Sequence, residues 1–255
     1  MTRRAAARYA SVVFDCDSTL SAVEGIDELA GPRRGEIEQL TQAAMLGDIP
    51  LEEVYGRRLE LIQPSQVQVA ELAARYIAAL VPDAADVVAA LREAGIAVRI
   101  MSGGLLPAVA ALAEHLGIPA RDVGAVDIAF TESGAFAGFD TASPLARSRG
   151  KHALMMEWRR ELPLPVILVG DGATDLEAAT AADLFVAFAG IVERPAVTAA
   201  ADVVIRARSL APILALALGD ITPRSPAARA LAKRGRTLLD QSDVSSSPTR
   251  DHSPR

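Results

Sequence analysis

The feature that most restricts what this chain can fold into is a repeating succession of short apolar runs and longer helix-forming segments. Residues 9–14, 96–102, 165–170, 184–189 and 202–207 read as strands. Residues 83–94, 105–116, 151–161, 175–182 and 210–218 read as helices, two of them stopped by Gly95 and Gly117. Strands alternating with helices predict an α/β fold, a doubly wound and mostly parallel sheet covered on both faces. Composition agrees: 51% of the residues are apolar but only 4% aromatic. Such a core is aliphatic, which suits helices packed on a sheet better than an aromatic-rich β-sandwich.

Three segments depart from the alternation. Residues 35–46, 51–62 and 65–77 are helical in spacing with no strand among them, punctuated by Pro50 and Pro64, and Ser65 is placed to cap the third. Residues 21–79 are therefore expected to form a small helical insertion after the first strand. Residues 126–140 alternate around Ser133-Gly134 and predict a hairpin. From residue 221 the chain is rich in Ser, Pro and Arg, which predicts a disordered tail over 221–255 with one short helix near 227–239. Residues 1–20 and 80–220 then make up the α/β core.

Ligands of an open parallel sheet bind beyond the carboxyl ends of its strands. Three polar clusters fall there: Asp15 and Asp17 in "DCDST", Ser102-Gly103-Gly104, and "GDGATD" at 170–175. The first reads equally as a turn and as a carboxylate pair. As a pair, the two aspartates repel and need a cation or a shared proton. Mg²⁺, a hard ion that takes oxygen ligands, is the natural cation, with Asp171 as a further ligand. Ser102-Gly103-Gly104, with Pro107 soon after, reads as a common loop or as a phosphate cradle at a helix N-terminus. In "GDGATD" the glycines let the backbone bend closely around a ligand while Asp171 and Asp175 supply carboxylates; Asp175 as a simple N-cap is the other reading. Lys151 opens a helix, where its charge opposes the dipole. It reads as a solvated lysine or as a group that neutralises phosphate.

A net charge of −6 argues against nucleic acid as a partner. No run approaches the ~18 apolar residues of a membrane helix, and "MTRRAAARYA" lacks the apolar stretch of a signal peptide. The single cysteine, Cys16, excludes an intramolecular disulfide and fits a reducing compartment. A cytoplasmic protein is expected. Cys16 between two acids is a poor nucleophile, and the three histidines match no metal-binding spacing.

Taken in order, "DCDST", "SGG", Lys151 and "GDGATD" resemble the four motifs of the haloacid dehalogenase superfamily. Within it, "VEGIDELA" (23–30), "RLELIQPS" (58–65), "SGAFAGFD" (133–140) and "IVERPAV" (191–197) resemble the phosphoserine phosphatase family, over residues 9–219. The resemblance implies a Rossmann-like core with a small cap, and Asp15 as the nucleophile that forms an aspartyl-phosphate. Asp17 would be general acid and then base. Mg²⁺ would be held by Asp15, the Asp17 carbonyl and Asp171, with Asp175 in support. Ser102, Gly103, Lys151 and Thr174 would bind the phosphoryl group. Glu24 would take the ammonium of O-phosphoserine and Arg58 its carboxylate, with Met45 and Arg194 also on the substrate side.

The resemblance is imperfect. "AGPRRGEIE" (30–38) is unlike the family, and Leu46 and Leu51 replace a glycine and an aromatic. A phosphatase or phosphotransferase for another small phosphomonoester, such as phosphohomoserine, is therefore the alternative enzyme. A non-catalytic binding protein on the same fold is the alternative of another class. The enzyme readings take a small molecule as partner, and the chain is expected to be a monomer or homodimer.

Overall fold

The computed structural model describes residues 9–45 and 51–240. Six strands form one sheet in the order β3-β2-β1-β6-β7-β8, and every pairing in it is parallel. They are β1 (Ser11–Phe14), β2 (Ala97–Leu105), β3 (Val123–Val126), β6 (Val166–Gly170), β7 (Leu184–Phe188) and β8 (Val203–Ile205). The remaining two, β4 (Ile128–Phe130) and β5 (Phe136–Phe139), make the expected hairpin as a separate antiparallel pair.

The strand pleat sorts the apolar residues into two cores. Val12, Phe14, Ile167, Val169, Val186 and Phe188 face one layer. It is built from α5 (Ala84–Glu93), α6 (Leu106–His115), α10 (Ala211–Leu218) and α11 (Pro226–Leu239). Val13, Leu168, Phe185 and Ala187 face the other, built from α7 (Gly150–Trp158), α8 (Ala173–Ala178) and the short α9 (Pro195–Thr198). A sheet buried on both sides is what an aliphatic composition and parallel strands require.

Between β1 and α5 lie four helices, α1 (Gly25–Ala30), α2 (Arg34–Met45), α3 (Leu51–Ile62) and α4 (Gln66–Ala78). Ser65 caps α4 in a capping box with Gln68. The chain leaves for this segment and returns from it side by side: Ala22 N–H donates to Ala79 O and Val81 N–H to Leu20 O, both at 2.9 Å.

The structure decides three points that the sequence left open. Ser102-Gly103-Gly104 is not a loop but the end of a longer β2, whose register against β3 shifts between Met101 and Leu105; a bulge absorbs the glycines without ending the strand. Asp175 is not an N-cap: Gly172 holds that position, and Asp175 sits three residues on, its carboxylate accepting from Gly172 N–H at 3.0 Å. The short helix expected near 227–239 is present as α11, but it docks on the core instead of lying in a disordered tail. Its basic composition hides a stripe of Ala228, Leu231, Ala232 and Gly235 at helical spacing, buried against the wholly apolar α10. Gly235 permits the closest approach, since a Cβ there would stand 2.2 Å from Ala211 O. Residues 241–255 lie outside the described residues.

Candidate active site

The sheet order reverses between β1 and β6, and a doubly wound sheet opens its ligand crevice at such a point. Asp15 follows β1 directly and Asp171 follows β6, so the switch point brings two carboxylates together from residues 156 apart in sequence. Asp175 joins them from the first turn of α8. The three carboxylates are buried and each has an oxygen within 4.8 Å of the others. The chain permits this crowding because residue 170 is glycine: a Cβ there would meet the Asp175 carboxylate carbon at 2.2 Å.

Lys151 enters the cluster from α7. Its Nζ donates to Asp15 Oδ1 at 2.7 Å and to Asp175 Oδ1 at 2.8 Å, with only 8% of the side chain exposed. Burial alone would favour a neutral amine, but the two carboxylates overcome it and raise the Lys151 pKa. One ammonium does not balance the acids around it. Burial, reinforced by Asp175 and opposed by Lys151, pushes Asp15 up to about 8. Arg194 supplies a second, half-exposed cation, pairing with Asp171 and, at 3.1 Å, with Glu24.

Asp17 does not share this arrangement. β1 ends at Phe14, so the extended geometry that would aim both aspartates alike is lost, and Ser18 already has a φ of +51°. Asp17 Oδ1 accepts from Gly25 N–H at 2.6 Å and from the Tyr76 hydroxyl at 2.7 Å, and Oδ2 lies 3.3 Å from Ser102 Oγ. Burial raises its pKa, partly offset by the Tyr76 and Gly25 hydrogen bonds. Cys16, between the two acids, is fully buried in the core, and that burial pushes its thiol well up, with Asp17 and Asp15 adding to the effect. A thiol so buried is a poor nucleophile.

A cavity of about 390 Å³ opens above these groups. Asp15, Asp17, Gly103, Lys151, Asp171, Thr174 and Asp175 line it, and so do Glu24, Arg58 and Arg194. Ser102 does not line it, being turned to Asp17 and accepting from Gly104 N–H at 2.9 Å. Met45 ends α2, and its side chain lies outside the described residues, as do those of Leu46 and Leu51. Glu24 accepts from Ser18 Oγ at 2.7 Å, and Arg58 pairs with Asp27.

Sequence reasoning missed Asp27, Gly25 and Tyr76. Asp27 stands three residues from Glu24, the spacing of one helix face. Tyr76 continues the stripe of Val69, Leu72 and Ala73, which by pattern reads as core.

The geometry sets a lysine-bridged carboxylate cluster beside a separately held carboxylate, Asp17, on one cavity. Residues 9–183 match the family model of haloacid dehalogenase-like hydrolases. Human phosphoserine phosphatase is 40% identical over 187 residues, covering 72% of this chain and 83% of the human protein. A phosphoserine phosphohydrolase-like protein from Francisella tularensis superposes with a TM-score of 0.68 at 27% identity, over 77% of this chain and 94% of its own. A phosphoserine phosphatase solved as its phospho-aspartyl intermediate analogue superposes at 0.66 and 26% identity, over 82% and 98%.

Proposed function

Because the chain belongs to the haloacid dehalogenase-like hydrolases, we propose that it hydrolyses O-phosphoserine to serine and phosphate. One observation carries the reading. Lys151 bridges Asp15 and Asp175 at the switch point, and Glu24 and Arg58 line the same cavity. A phosphate, an ammonium and a carboxylate each then face a group of opposite charge. The 40% identity to human phosphoserine phosphatase supports that choice of substrate.

In this reading residues 21–79 are a cap over a core of residues 1–20 and 80–220, and they exclude water from the transfer. Asp15 attacks phosphorus as the ester bond breaks, and the proton of Asp17 passes to the serine oxygen. A water then attacks the aspartyl-phosphate, giving its proton back to Asp17, and Asp15 is restored. Lys151, Gly103, Thr174 and Ser102 hold the phosphoryl oxygens, Ser102 by turning from Asp17. Arg194 borders the serine end; Met45, given the same role by the resemblance, has its side chain outside the described residues.

The residues fit a divalent cation. Three buried carboxylates around a single buried ammonium leave excess negative charge, and their oxygens suit a hard ion. Asp15, Asp171 and the Asp17 main chain would hold Mg²⁺, supported by Asp175. The ion would offset charge between nucleophile and phosphate. No helix among the described residues is long and apolar enough to cross a membrane, and a cytoplasmic monomer or homodimer accords with the reading.

Steady-state assays over O-phosphoserine, phosphothreonine, phosphohomoserine and sugar phosphates, with Mg²⁺ and with chelator, test it. Hydrolysis of O-phosphoserine is expected to lead the panel and to stop on chelation. Equal rates across the panel would sink the substrate assignment. Faster transfer to an added alcohol than to water would make the chain a phosphotransferase.

A further inference from the structure

The hydrogen bonds on Asp17 come from two different parts of the molecule. Oδ1 is held by Gly25 N–H, at the start of α1, and by the phenol of Tyr76, near the end of α4. Oδ2 faces Ser102 Oγ of the sheet at the longer distance of 3.3 Å. Tyr76 is fully buried, and space around its hydroxyl is kept by two residues that lack a Cβ. A Cβ on Gly25 would stand 2.0 Å from the phenol oxygen, and one on Gly104 would stand 3.2 Å from it. The phenol thus occupies a fitted slot between helical segment and sheet, and its partner is the proposed acid rather than a backbone group.

We propose that Tyr76 is a positioning residue for the proton transfer of Asp17. This rests on the reading of Asp17 as the acid. With Oδ1 committed to two donors from the helical segment, the proton belongs on Oδ2, the oxygen on the sheet side. As the bond between phosphorus and the serine oxygen breaks and that from Asp15 to phosphorus forms, the Oδ2 proton goes to the departing oxygen. In the second half, the attacking water returns a proton to the same oxygen as the Asp15–phosphorus bond breaks. Because both Oδ1 donors belong to the segment between β1 and α5, seating that segment and aiming the acid are one event.

The test exploits leaving-group chemistry. A serine alkoxide needs the proton as it leaves, whereas a p-nitrophenolate does not. With Tyr76→Phe, kcat/KM for O-phosphoserine is expected to fall about tenfold, part of the ~10²–10⁴ that general acid catalysis contributes, while kcat/KM for p-nitrophenyl phosphate changes less than about twofold. Gly25→Ala displaces the phenol from the opposite side and is expected to show the same split, which carries the test if Tyr76→Phe does not fold. Equal losses on both substrates, or no loss on either, would overturn the role of Tyr76. Asp17→Asn separates this from the underlying reading: it is expected to show a larger split, and if it shows none, Asp17 is not the acid.

Discussion

The strand ends and the helical segment present charges to the same cavity but hold them differently. Lys151, Asp15 and Asp175 have side chains 8%, 7% and 1% exposed, on a strand end and two helix starts that the sheet fixes. In the helical segment Arg58, Asp27 and Glu24 are 22%, 40% and 41% exposed, and Glu24 pairs with Arg194 of the core, itself 38% exposed. Buried charges cannot be left unpaired cheaply, so the first group is a single unit that tolerates little change. The half-exposed pairs can exchange partners with water or a ligand at small cost, which is what a specificity surface needs. The position that reacts and the position that selects are thus distinguished by solvation before any substrate is considered.

The strongest challenge to that contrast is Asp15→Asn. Activity on every substrate is expected to fall by at least ~10⁴-fold, because the nucleophile is gone whatever its leaving group. Folding is expected to survive. The Asp15 pKa is raised by burial to about 8, so in metal-free protein its contribution to stability is present at acid pH and lost as the pH rises towards 8. Melting temperatures in chelator from pH 5 to 8 should fall less steeply for the variant than for the parent; a steeper fall would show that Asp15 is not a buried, disfavoured anion.

Lys151→Met comes next. It strips the only ammonium from the carboxylate cluster and is expected to cost roughly 3–5 kcal/mol of stability in denaturant titration, with a ~10²–10³-fold loss of kcat. A stability change below about 1 kcal/mol would mean that the cluster is not a buried unit.

On the selecting side, Arg58→Ala should cost ~10–100-fold in kcat/KM for O-phosphoserine, with almost no change for p-nitrophenyl phosphate and within about 1 kcal/mol in stability. Equal losses on both substrates would erase the distinction between the two regions.

The smallest effect is expected from Ser65→Ala. Losing the capping box of α4 should lower stability by ~1 kcal/mol and leave the kinetics of both substrates unchanged. A change in kcat would show that the helical segment transmits strain to Asp17 through α4.

Much of this was legible in the chain, and for identifiable reasons. The strand–helix alternation, Ser65 as a cap and the Ser133-Gly134 hairpin are local patterns, decided by residues a few positions apart. The acidic and glycine-rich ends of the strands could be assigned to one edge because parallel strands leave no other arrangement. Other features were not local. Whether Ser102 faces the cavity or Asp17 depends on a bulge in β2. A helix near 227–239 was expected, but that it packs on the core was visible only once α10 supplied an apolar surface for its narrow stripe. Tyr76 read as core, and is core, yet its hydroxyl meets a carboxylate 59 residues away.

By itself, then, the sequence determined the fold class and set the candidate polar clusters at one sheet edge, since periodicity and side-chain type are properties of short segments; their phosphoryl roles are what the resemblance implies. Only the tertiary structure decided which of those residues act on one another. It gave Lys151 two of the three clustered carboxylates and placed Asp17 apart, in the grip of the helical segment. The reason is physical: desolvation and hydrogen bonding depend on distances of a few ångströms between atoms that the chain brings together only after its strands have paired.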